Sequence, residues 1–346
     1  MKALLHWGLV VAALGYLAYQ TPKLVRSADE GRPWLAGAQW SLVALAVLLN
    51  LGAVALYGEL HRQLLLVGDA RVPAAAVQGT TFAENAVNNT VPVVGGAGSL
   101  AYAITRFRRW GADSALASWA VLLAGVLTTL WLLVLGAAGL AVAGRLSPEA
   151  AGVVVTVIVV GVPIAWLLLT HPTVLTRLLH PVLRLAAHLP HRCSDCRASW
   201  ATDLPAAVER VTARIALLRP SPLRWLLLFG IAAGTWALDF AGLVASAAAV
   251  LPQVPWTGLI IGFLLVQVSI ALQVLPGGAG LAEVGLLGAL GSAGVDLGPA
   301  AAVVVLYRAA SWLVPTVVGW LLYAVQIHVT RPLPHLHRPT PQSATG

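Results

Sequence analysis

The sequence predicts an all-α, polytopic membrane bundle of about eight spans, carrying two Gly/Pro-broken helices in an internal repeat. Three observations predict it. Hydrophobic residues make up 59% of the 346-residue chain, and the mean hydropathy is +0.84. Charged residues make up only 10%, against about 25% in an ordinary soluble domain. The apolar residues also fall in runs of roughly 20, the length that crosses a bilayer as a helix. Together these exclude a soluble enzyme, a disordered chain and a nucleic-acid-binding module. The net charge of +8 is carried mostly by arginines lying between apolar runs, where they act as topology signals.

The spans follow in order as residues 3–20, 35–57, 114–143, 152–170, 223–250, 256–274 and 300–329. The first has Lys2 ahead of it but no small-residue cleavage pattern before Thr21-Pro22, so it reads as a retained helix with His6 at the interface. Two further stretches, 72–105 and 275–295, are apolar but interrupted. Proline removes a backbone donor and clustered glycine lets the chain turn, so neither forms an uninterrupted straight helix.

Positive charge sets the orientation. Residues 171–224 carry eight arginines against Asp195, Asp203 and Glu209, so this connection is expected on the cytoplasmic side, together with Arg106, Arg108 and Arg109. The uncharged turn at 251–255 is expected outside. A hairpin at 275–295 puts the tail outside; a crossing there puts it inside, which Arg331 and Arg338 favour, and the tail-inside arrangement is preferred. Residues 174–189 and 203–218 place leucine and valine at helical spacing opposite arginine. Such helices lie at the headgroup level beside anionic lipid or pack beneath the bundle. Residues 1–330 thus form one transmembrane domain, with a disordered tail at 331–346. The expected location is the plasma membrane.

The two broken stretches resemble one another. Each has a proline, then Gly-Gly-Ala-Gly, then a short helical run: Pro92 and Gly95, Gly96, Ala97, Gly98 in the first, and Pro276, Gly277, Gly278, Ala279, Gly280 in the second. Paired interruptions in corresponding halves point to a transport site. A helix begun inside the bilayer exposes free N–H groups at its positive end, which attract an anion such as a phosphate, and Ser99 can cap the first start or contact the same anion. The competing reading makes both breaks close-packed joints between helices. Whether the halves are parallel or inverted is open.

Glu84, Asp239, Glu283 and Arg308 lie in apolar surroundings, where charge is expensive and faces a cavity or a partner. A Glu283–Arg308 pair is the simplest electrostatic solution. Glu283 also fits the third position of its helix as a cap. Asp239 bonds a neighbouring Ser or Trp, or carries protons; Glu84 reaches the interface, or carries protons. Asn85, Asn88 and Asn89 share one helical side and either line a wet path or satisfy broken backbone. His188, His191, Cys193 and Cys196 are zinc-type ligands, but their spacing is tighter than in zinc folds and no domain surrounds them. No metal and no cofactor are predicted, and the cysteines are expected as reduced thiols on a loop. No nucleophile motif, phosphate-binding loop or carboxylate pair for acid–base work is present, so no enzymatic activity is expected.

The chain resembles the transmembrane, flippase-like domain of lysylphosphatidylglycerol synthases and its stand-alone relatives. The resemblance rests on Asn89-Thr90-Val91-Pro92 with the glycines and Arg106–Gly111 in the first half. In the second half it rests on Trp236-Ala237-Leu238-Asp239, Leu275-Pro276-Gly277-Gly278-Ala279-Gly280-Leu281-Ala282-Glu283, Tyr307-Arg308, Trp312-Leu313-Val314-Pro315 and Gly319-Trp320. In two-part synthases such a domain is implied to move an aminoacylated phospholipid between leaflets, while a soluble domain transfers the amino acid. The residues after 329 leave no room for that second domain. The first repeat also lacks the acidic residue common after its glycines, having Tyr102 and Arg106 instead. The resemblance implies a lipid translocase with an anionic headgroup as its partner. An ion-coupled carrier of a small anionic solute and a lipid-presenting partner of a membrane glycosyl- or acyltransferase are the alternatives. The implied substrate path comprises Glu84, Asn88, Asn89, Gly95, Gly96, Ser99, Asp239, Pro276, Gly277, Gly278, Glu283 and Arg308.

Overall fold

The computed structural model describes residues 33–91, 95–150, 152–156, 160, 221–272 and 276–328. The spans expected at 3–20 and, for the most part, 152–170 lie outside these residues. So do the amphipathic connection, the His188–Cys196 cluster and the tail. The described residues are helical, without strands.

Helix lengths sort the elements into two kinds. α1 (Trp40–Val67), α4 (Ser114–Val142) and α5 (Pro222–Ala248) have 28, 29 and 27 residues. At about 1.5 Å per residue each exceeds the roughly 30 Å hydrocarbon thickness of a bilayer. α2 (Ala74–Thr90), α3 (Gly95–Arg109), α6 (Trp256–Ala271) and α7 (Leu281–Ser292) have 17, 15, 16 and 12 residues, too few to cross with ease. α8 (Leu297–Arg308) runs through a π turn (Ala309–Leu313) into α9 (Val314–His328) as a fourth long apolar rod. Pro315 has no N–H, so one carbonyl a turn earlier lacks its α-helical partner, and the helix widens there. Large apolar side chains such as Leu48, Leu122, Leu226 and Leu321 are exposed along the long rods, as lipid-facing surfaces are.

Local sequence fixes several starts. Asp113 accepts the Leu116 N–H at 2.9 Å to cap α4, and Ser221 accepts the Arg224 N–H, with Pro222 following, to open α5. The second span is expected from sequence to end at Tyr57. The helix instead runs on to Val67, with Glu59 and Arg62 neutralising each other one turn apart at 2.6 Å.

Contacts along the helices give their directions. α1 and α5 are antiparallel: the Gln39 N–H bonds the Ala249 carbonyl at one end, Gly242 sits against Asn50, Gly234 against Leu56, and Arg224 reaches the Leu66 carbonyl at the other. α2 folds back along α1, with Gln78 bonding the Ala55 carbonyl at 2.9 Å. α3 folds back again, with Gly98 near Val87 and Phe107 against His61. The α2–α3 hairpin therefore returns to the end of the bundle it came from. The α6–α7 hairpin does the same from the opposite end, with Gly262 against Leu286 and Gly258 against Ala293.

The two halves therefore repeat one pattern: long helix, short helix, break, short helix, long helix. Their first members run antiparallel, so the repeat is inverted. The contacts across it are reciprocal. α2 packs antiparallel on α9, through Phe82 and Gly319, and α4 packs antiparallel on α6, through Gly139 and Ile260. Each half has its own apolar core, one around Leu60, Leu64, Phe107 and Leu127, the other around Leu243, Phe263, Leu286 and Val303. The helix expected at 256–274 stops at Ala271 and forms one arm of a hairpin with α7, which lies within the 275–295 stretch.

Candidate functional site: a polar cavity between the halves

Polar residues from both halves meet at mid-height. A cavity of about 230 Å³ is lined by Asn50, Tyr57, Asn85, Asn88 and Asn89 from the first half, and by Asp239, Gln267, Tyr307, Arg308 and Trp312 from the second. Asn89 donates to Asn85 Oδ1 at 3.0 Å and to Thr316 Oγ1 at 3.3 Å, tying α2 to α9. Asp239 accepts from the Tyr307 hydroxyl at 2.9 Å and from Gln267 Nε2 at 3.0 Å. These partners replace the Ser or Trp expected from sequence.

Arg308 is 1% exposed. Its Nε donates to Glu283 Oε1 at 2.7 Å, its Nη2 donates to the Gly277 carbonyl at 2.8 Å, and its guanidinium carbon lies 5.3 Å from the Trp312 ring centre. The expected Glu283–Arg308 pair is therefore present. The other Glu283 oxygen accepts the Gly280 N–H at the start of α7, so the positive end of that helix already holds the protein's own carboxylate. Gly277 sits at φ +60° in the turn Pro276–Gly278, with the Trp312 indole where a side chain would go. That turn packs on α2, the helix before the first break.

Of the residues expected on a substrate path, Asn88, Asn89, Asp239 and Arg308 line the cavity, and Gly277 and Glu283 are joined to it through Arg308. Pro276 and Gly278 flank Gly277 in its turn. Gly95 and Gly96 open α3 outside the cavity lining. Ser99 neither caps that helix nor lines the cavity; its hydroxyl donates back to the Gly96 carbonyl at 2.9 Å. Glu84 does not reach the interface. It is 5% exposed and lies 4.0 Å from the fully buried His61. Sequence reasoning missed Asn50, His61 and Gln267: Asn50 and Gln267 are single polar residues in apolar stretches, and His61 sits beside the Glu59–Arg62 pair.

A second hollow, of about 760 Å³, is lined almost wholly by apolar side chains such as Leu42, Leu49, Leu135, Phe240 and Val244. Trp236 lines both hollows, and its indole N–H donates to the Thr128 carbonyl at 2.7 Å. Among the described residues no group of three or more His, Cys, Asp or Glu side chains is placed to hold a metal ion.

Inverted halves of apolar rods around a buried polar centre define a polytopic helical membrane protein. The profile of the family described as the lysylphosphatidylglycerol synthase TM region matches residues 5–319, and the chain belongs to that family. Among curated proteins, none matches it.

Proposed function

We propose that the protein moves a phosphate-bearing lipid between the leaflets of the plasma membrane, acting as a translocase and not as an enzyme. One observation carries the reading: a polar cavity holding a buried arginine lies beside an apolar hollow, with Trp236 lining both. A lipid has this same division into charged head and apolar tail. The headgroup phosphate would meet Arg308, with the amides of Asn88 and Gln267 as donors. The tail would lie against Leu42, Leu49 and Phe240. Membrane-embedded sites of this kind lie where inverted repeats meet.

In this reading both hairpins are re-entrant. The end of the bundle bearing Arg71, Arg108, Arg109 and Arg224 faces the cytoplasm, since cytoplasmic loops are enriched in Arg and Lys. The end with Gln253 and Ser292 faces outward, and α9 brings the chain back to the cytoplasmic end.

The test is lipid accessibility in liposomes that contain the purified chain and a trace of fluorescent phosphatidylglycerol. Wild type is expected to expose inner-leaflet probe to an external quencher, and Arg308→Ala to lose most of that activity. Equal probe movement with and without protein overturns the proposal.

A further inference from the structure

The cavity accounts for Asp239, Glu283 and Arg308 but leaves one acidic side chain unexplained. Glu84 is buried in α2, and its Oε2 has no hydrogen-bond partner. Asp239 has two donors, and Glu283 has an arginine and a backbone N–H. Among the described residues no Lys or Arg forms an ion pair with Glu84. Its one basic neighbour is His61 on α1, whose Nδ1 lies 4.0 Å from Oε2 and 3.2 Å from the Thr81 hydroxyl, and whose Nε2 has no partner. An isolated carboxylate in such a place is expensive. A single proton shared by the two side chains makes the pair neutral overall, whether it rides on the carboxyl oxygen or on the ring.

The position of the pair gives that proton a use. Tyr57 lines the cavity, stacks on His61 with ring centres 4.6 Å apart, and interacts electrostatically with Glu84. On the far side α3 brings Phe107 against His61, and Tyr102 interacts electrostatically with Glu84. Tyr102 in turn packs against Tyr323 of α9, ring centres 5.2 Å apart, and interacts electrostatically with Arg106 and Arg109 of α3. The titratable and charged groups around the pair are therefore Tyr57, Tyr102, Tyr323, Arg106 and Arg109.

We infer that His61 and Glu84 form a proton-binding site that couples anion binding in the cavity to uptake of one proton. This rests on the lipid-translocation reading and adds an energy source to it. Without a headgroup the pair exchanges its one proton with water, so part of the population carries a bare carboxylate. An anionic headgroup arriving beside Tyr57 makes that unprotonated form less favourable still, so one proton is taken from water and held on the pair. Its release to water after the headgroup leaves resets the site. No bond other than the O–H or N–H changes, so the cycle balances with water alone as donor and acceptor.

The experiment uses the full chain in phosphatidylcholine liposomes with a trace of fluorescent phosphatidylglycerol, with and without an imposed pH gradient. It is paired with infrared difference spectra of the carboxylic-acid C=O band in detergent, before and after adding phosphatidylglycerol. Wild type is expected to respond severalfold to the gradient, and Glu84→Gln and His61→Gln to lose that response. The lipid-induced band change is expected in wild type and absent in Glu84→Gln. Lipid movement that ignores the gradient, without a lipid-induced band at Glu84, overturns the coupling and leaves the translocation reading standing. If wild type moves no lipid, that reading fails. The infrared arm then decides alone: a Glu84 band that does not change on adding lipid overturns the proton site. Should Glu84→Gln not fold, Glu84→Asp and His61→Gln carry the same comparison.

Discussion

Arg308 and Glu283 are joined at 2.7 Å across the break that precedes α7, and the same arginine holds the Gly277 carbonyl at 2.8 Å. One cation thus closes the turn from both sides. Removing one partner of a fully buried pair destabilises by about 3–5 kcal/mol; Glu283 is partly exposed, which reduces that loss, but Arg308 is buried and would be left uncompensated. Glu283→Gln is therefore expected to lower the melting temperature in detergent clearly. Arg308→Lys is expected to lower it nearly as much, since an ammonium lacks the planar fork that serves both acceptors. An Arg308→Lys variant as stable as wild type would show that the two-sided bridge does not hold the turn.

Gly277 faces two separate demands. At φ +60° an L-residue pays roughly 1–2 kcal/mol of backbone strain, and any Cβ collides with the Trp312 indole. Gly277→Ala is expected to melt well below wild type. Adding Trp312→Phe makes room for the methyl group but leaves the backbone strained, so the double variant is expected to recover only part of the loss. Full recovery would mean that φ is not constrained there; no loss in the single variant would mean that the turn adopts another shape.

Asp239 takes one hydrogen bond from Tyr307 and one from Gln267. A hydrogen bond to a charged group contributes about 1.5–3 kcal/mol. Tyr307→Phe is expected to cost an amount in that range by chemical denaturation in detergent. Asp239→Asn and Tyr307→Phe touch the same bond, so their combined cost is expected to fall short of the sum by about 0.5–3 kcal/mol. Simple additivity would show that the two side chains act independently.

The membrane bundle, both breaks and the Glu283–Arg308 pair were legible in the sequence because each leaves a local mark: a run of apolar residues, a Pro/Gly cluster, opposite charges in apolar surroundings. The inversion of the halves was not. It depends on which helices pack together, and only contacts such as Gly242 with Asn50 give the direction. The length of α6 was hidden for a related reason, since 256–274 is apolar enough to span and hydropathy alone does not mark where the helix stops. His61 escaped because it lies beyond Tyr57, where the expected span ends; the Glu59–Arg62 pair one helical turn apart lets the helix continue past that point.

The inverted arrangement makes a prediction that needs no substrate. Arg71 and Arg109 are exposed at one end of the bundle, and Gln253 and Ser292 at the other. With Cys193 and Cys196 replaced by serine, single cysteines at these four positions are to be labelled by a membrane-impermeant maleimide in intact cells and in inverted vesicles. Positions 253 and 292 are expected to react from outside, and 71 and 109 from the cytoplasm, because arginine-rich ends stay inside. The decisive pair is Gln253 and Ser292, which bracket the α6–α7 hairpin. If the hairpin returns, as the contact of Gly258 with Ala293 requires, both label from one side. If they label from opposite sides, α6–α7 crosses the bilayer, the halves no longer mirror one another, and the cavity loses its place at the meeting of two inverted repeats.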